Sequence, residues 1–139
     1  MPDAEDVILV VEDELPNRAL FKATKDRAAV ARVRDATLLE ATTLAQAREI
    51  VEARRIDLIV LDVRLPDGDG LSLARDLDQG QTRPRILVLS ASVLPSERAV
   101  ALDAGTDAFM AKPFLPVELV REMADLLERG PATKRVPTT

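Results

Sequence analysis

Five short apolar stretches recur along the chain between polar ones. VILVV (7–11), DLIVL (57–61) and RILVL (85–89) are nearly continuous, while ATLLEA (36–41) and DAFMA (107–111) are weaker. A strand with one wet face alternates apolar and polar residues. Runs this short without alternation predict strands covered on both faces. Between them the apolar positions fall three and four apart, the spacing of one helix face. One helix is expected over PNRALFKATKDRAAVARV (16–33), with no glycine to mark its end. Thr43 and Gln46 match a capping box for a second, carrying Leu44, Ala47 and Val51. A third is expected from Gly70 to Asp78, stopped near Gly80, and a fourth from about Pro95 to near Gly105. PVELVREMADLLER (116–129) is the last, with Leu119, Met123, Leu126 and Leu127 as its stripe.

Strands alternating with helices, and apolar on both faces, predict an α/β fold: a doubly wound, five-stranded parallel sheet with helices on either side. Residues 7–129 form this unit. Residues 1–6 are a polar lead-in, and 130–139, with two prolines and no apolar stripe, are expected as a flexible tail or linker stub. In such sheets ligands bind beyond the C-terminal ends of the strands.

Composition narrows the chemistry available there. Cysteine and histidine are both absent. Disulfides, thiol catalysis, imidazole bases and Cys or His metal ligands are thereby excluded. Oxygen ligands remain, and these suit hard cations such as Mg²⁺ or Mn²⁺. The net charge is −5 and Trp and Tyr are missing, which speaks against direct nucleic-acid binding and base stacking. No apolar run is long enough to span a membrane, and the acidic N-terminus is unlike a secretory signal. A cytoplasmic protein is expected.

The polar residues that follow the strands form a set. Glu12 and Asp13 follow the first strand, Asp62 the third and Ser90 the fourth, and Lys112–Pro113 follows the fifth. One sheet edge would then hold three carboxylates, a hydroxyl and an ammonium. Clustered carboxylates raise one another's pKa values, and a divalent cation reverses that cost. Lys112 and a metal would neutralise a phosphoryl group there, and Asp62 could act as its nucleophile. Asp67 and Asp69 follow Pro66 and alternate with Gly68 and Gly70, as residues of a turn and a helix cap do.

VVEDE, LIVLDVRLPDGDG, LVLSA and DAFMAKPF, in that order, resemble the receiver domain of bacterial two-component response regulators. The resemblance implies a flavodoxin-like (βα)5 fold with strand order 2-1-3-4-5. It implies a signalling switch with no turnover of an external substrate. Asp62 would accept a phosphoryl group from a sensor histidine kinase or histidine phosphotransfer protein. Glu12, Asp13, Asp62 and the Arg64 carbonyl would hold the metal. Ser90 and Phe109 would be the switch pair, Lys112 would pair with the phosphate, and the Lys112–Pro113 bond would be cis. A downstream protein would read the face made by the fourth helix, fifth strand and fifth helix, which could also serve a homodimer. The long segment between Asp13 and the second strand departs from the family. So does Leu115, which cannot cap and leaves helix entry to Pro116. Arg64, cationic beside the site, is expected to alter phosphoryl lifetime. A pseudo-receiver that takes no phosphate, or a flavodoxin-like cofactor binder, are the alternatives. The acidic loop EDELPN and the missing Tyr and Trp disfavour the second.

Overall fold

The computed structural model describes residues 5–80, 82–91 and 94–133. Residues 1–4 and 134–139 of the expected lead-in and tail lie outside the described residues. Five strands form one parallel sheet: β1 (Val7–Val11), β2 (Thr37–Ala41), β3 (Leu58–Asp62), β4 (Arg85–Ser90) and β5 (Ala108–Ala111). Their order is β2-β1-β3-β4-β5. Among the described residues, five helices of seven residues or more connect or follow them: α1 (Leu15–Asp26), α2 (Leu44–Ala53), α3 (Leu71–Leu77), α4 (Pro95–Asp103) and α5 (Pro116–Arg129).

The two-sided covering explains the apolar runs. Successive side chains of a strand point to opposite faces. Leu9, Val11, Ile59 and Leu61 face a core shared with Leu44, Leu73 and Ala101. Ile8, Val10, Leu58 and Val60 face the other, built from Phe21, Leu119, Met123 and Leu126.

The expected helix over 16–33 is broken. α1 stops at Asp26, and a separate helical turn, Ala31–Arg34, precedes β2. Across the break, buried Lys25 donates its ammonium to the Arg34 carbonyl at 2.9 Å, tying the connection back onto α1. The capping box also differs. Thr43 accepts from the Gln46 N–H, but the Gln46 side chain reaches Thr42 rather than Thr43.

The described residues continue past Arg129 into the segment expected to be a flexible tail. Ala132–Thr133 pairs antiparallel with Thr82–Arg83, and the Arg85 guanidinium holds the Gly130 carbonyl at 2.7 Å. Arg83 and Arg85 also grip Asp107, which in turn accepts from the Ile86 N–H. This clasp lies at the N-terminal ends of β4 and β5.

Candidate phosphoryl and metal site

The register of the sheet brings the polar residues together. Val11 lies beside Leu61, Asp62 beside Leu89, and Ser90 beside Ala111. The chain positions that end or follow these strands, Glu12, Asp62, Ser90 and Lys112, therefore share one edge. Lys112 is fixed there by its own backbone, whose N–H donates to the Ser90 carbonyl at 2.8 Å. The Lys112–Pro113 bond is cis. Gly70 lets the chain after β3 turn tightly over the edge: a Cβ on it would stand 2.3 Å from the Asp62 carbonyl oxygen.

At the centre of the edge, the Lys112 ammonium donates to Glu12 Oε1 at 2.7 Å and to Asp62 Oδ2 at 3.0 Å. Glu12 is buried and takes a second hydrogen bond from the Glu14 N–H. The Arg64 N–H donates to Asp62 Oδ1 at 3.2 Å. Burial works to lower the Lys112 ammonium, but the two carboxylates outweigh it and hold the group above its ordinary value. Burial works to raise Glu12, but Lys112 and the Glu14 N–H outweigh it and leave the carboxyl below its ordinary value. For Asp62 burial prevails over Lys112 and the Arg64 N–H, and its carboxyl is pushed up.

One carboxylate oxygen from each of Glu12, Asp13 and Asp62 lies within 4.8 Å of the others. Three carboxylates against one ammonium leave the cluster net negative, and every candidate donor is oxygen. Both properties fit a hard dication. The edge opens to solvent through a cleft of about 660 Å³ bordered by Asp13, Asp62, Arg64, Ser90 and Lys112.

Phe109 is half-buried on β5, with the Arg98 guanidinium of α4 5.5 Å from its ring centroid. It stands apart from the carboxylate cluster, on the face toward α4. Asp67 and Asp69 are also outside the cluster. Asp69 accepts from the Leu71 N–H at the start of α3. Asp67, at the tip of a two-residue ribbon (Arg64–Leu65 with Gly68–Asp69), reaches further than a turn residue. Its carboxylate caps α2, accepting from the Leu44 and Ala45 N–H groups at 2.8 and 3.1 Å, and these bonds hold it below its ordinary pKa.

Sequence reasoning missed Arg18. Within a helix already rich in cations it reads as one more solvated charge. In the structure its Nη1 donates to the Glu12 carbonyl at 3.0 Å, and its Nε lies 3.4 Å from the Glu40 carboxylate. The available signal was position: five residues after Asp13, in the first turn of the helix that leaves the acidic loop.

Residues 8–124 match the response regulator receiver domain. The KDP operon transcriptional regulatory protein KdpE of Escherichia coli is 37% identical over 91% of this chain and 53% of its own. The phosphate regulon regulatory protein PhoB of Pseudomonas aeruginosa is 34% identical, over 94% of this chain and 56% of its own. The chain thus spans about half the length of these relatives. Among solved structures, the receiver domain of the sensor histidine kinase PA1611 of P. aeruginosa has a TM-score of 0.75 and 31% identity. It covers 90% of this chain and 99% of that one, and carries a magnesium ion coordinated in its active site cleft. A receiver domain from Vibrio parahaemolyticus, at 21% identity and a TM-score of 0.81, shares the fold. With the sheet order, the acidic edge and the bridging lysine all in place, this chain belongs to the receiver domain family of two-component response regulators.

Proposed function

We propose that this receiver accepts a phosphoryl group on Asp62 and uses it to change the surface formed by α4, β5 and α5. The observation that carries the reading is the Lys112 ammonium bridging Glu12 and Asp62, inside a cluster of three carboxylates. Glu12, Asp13 and Asp62, with the Arg64 carbonyl, would hold Mg²⁺ or Mn²⁺. Bound there, the cation supplies charge neutralisation for the phosphoryl oxygens.

The protein's own groups perform the rest. An Asp62 carboxylate oxygen attacks phosphorus in a phosphohistidine of a sensor kinase or phosphotransfer partner. The phosphorus–nitrogen bond breaks, the departing imidazole keeps that electron pair and takes up a proton, and an acyl phosphate remains. Lys112, already donating to Asp62, transfers a hydrogen bond to a phosphoryl oxygen. The Ser90 hydroxyl, at the end of β4, offers another. Movement of Ser90 toward the phosphoryl group frees space for Phe109, and the α4–β5–α5 face shifts between two packings that a downstream protein distinguishes.

The test is incubation with acetyl phosphate and Mg²⁺, read by intact mass. Wild type gains one phosphoryl group and Asp62→Asn gains none. Equal incorporation in both would remove Asp62 from the role.

A further inference from the structure

The acidic loop is held in place by a side chain outside the acidic set. Glu12 N–H donates to the Ala41 carbonyl at 2.9 Å, so the loop leaves β1 still attached to β2. The next peptide, joining Glu12 to Asp13, has its carbonyl held by Arg18 Nη1 at 3.0 Å. A peptide unit is planar, so fixing its oxygen also fixes the nitrogen and Cα of Asp13, from which the Asp13 side chain springs. Arg18 is fixed in its turn. Its guanidinium is mostly buried and its Nε faces Glu40, a β2 residue paired in register with Val10 of β1. The guanidinium therefore spans from β2 to the loop, and its planar fork suits two partners in set directions.

We infer that Arg18 is a positioning residue for the metal site: by pinning the Glu12–Asp13 peptide it sets where the Asp13 carboxylate stands, and with it the affinity for Mg²⁺. The inference rests on the metal site proposed above. It runs against the simple expectation from charge. A fixed cation beside an acidic cluster repels a dication, so removal of Arg18 as a charge alone would tighten Mg²⁺ binding. Removal of Arg18 as a support loosens it, as loss of outer groups that orient metal ligands does. The two accounts differ in sign.

The experiment is calorimetric titration of Mg²⁺ into the full chain, for wild type, Arg18→Ala, Arg18→Gln and Asp13→Asn, with amide spectra confirming that each variant is folded. Mg²⁺ affinity is expected to fall roughly tenfold in Arg18→Ala. Arg18→Gln, which keeps an N–H donor but no charge, should lose less. Should Arg18→Ala not fold, Arg18→Gln decides by the same sign. Unchanged or tighter binding in the Arg18 variants, with binding weakened in Asp13→Asn, overturns the role of Arg18 and leaves the metal site standing. Wild-type affinity in Asp13→Asn overturns the metal site and the inference together.

Discussion

Asp62 and Glu12 share one ammonium yet are driven in opposite directions. Each also accepts one backbone N–H at 3.2 Å, but Glu12 has the shorter bond to Lys112, and its carboxyl is held down. Asp62 has the longer bond, and burial pushes its carboxyl up. A carboxyl whose pKa is raised by folding binds more protons folded than unfolded. Its ionised form therefore costs stability, and the cost develops as pH rises from the unfolded value, about 3.9, through the folded one. Metal-free wild type at neutral pH carries this cost, and Asp62→Asn removes it while keeping an oxygen that can accept from Lys112. In EDTA at pH 7, thermal melts should place Asp62→Asn above wild type, by about 3 °C per kcal/mol recovered. The gap should close toward pH 3, where the carboxyl is neutral in both states. Excess Mg²⁺ should raise wild type preferentially, since a ligand of the folded state stabilises by mass action. An Asp62→Asn melt at or below wild type in EDTA would show that the Lys112 bond, not burial, decides the balance.

At the scale of elements, β4 and β5 are tied together at the edge opposite Asp62. Asp107, just before β5, accepts from Arg83, Arg85 and the Ile86 N–H. Burial alone would raise its carboxyl, but these donors outweigh it and hold the group below its ordinary value. Here the sign is reversed: the contribution is full above the unfolded value of about 3.9 and is lost as pH falls through the folded one. Asp107→Asn should lower stability at pH 7 by about 2 kcal/mol, less than for a fully buried pair because both guanidinium groups keep some solvent. Urea unfolding should show the difference shrinking in acid; a difference independent of pH would mean that the loss is one of packing. Nothing in the sequence marked this cluster, because its partners are more than twenty residues apart. The central strands β1, β3 and β4 were legible, because burial on both faces leaves an unbroken apolar run in each. The end of α1 was not. No glycine or proline stands there, and the Lys25 bond to Arg34 that ties the break together spans nine residues. Asp67 was recognisable as structural, but the helix it caps begins 23 positions earlier, a distance no local pattern reports.

For the molecule as a whole, the parallel sheet separates two kinds of polar work. Candidate chemistry gathers at the C-terminal edge, and this much was legible because every residue of the cluster ends or closely follows a strand. The opposite edge carries the clasp, which was not legible, since two-residue bridges have no periodicity. There Arg85 holds Gly130, and Ala132, buried, sits in the pair with Arg83. The course of the chain after α5 is thereby set by β4 and by the residues just before it, at the far end of the sheet from Asp62. If the two edges do separate tasks, the clasp should contribute to stability and leave the acidic site alone. Ending the chain at Arg129 removes the Arg85–Gly130 bond, the short ladder and the burial of Ala132. The urea midpoint should fall, with a loss of roughly 1–2 kcal/mol, while Mg²⁺ affinity and phosphoryl incorporation from acetyl phosphate stay at wild-type levels. An unchanged midpoint would mean that the clasp adds nothing to the fold. A lower midpoint with altered Mg²⁺ affinity would mean that the strands transmit between the edges, and that the residues following α5 act on the site as well as on the fold.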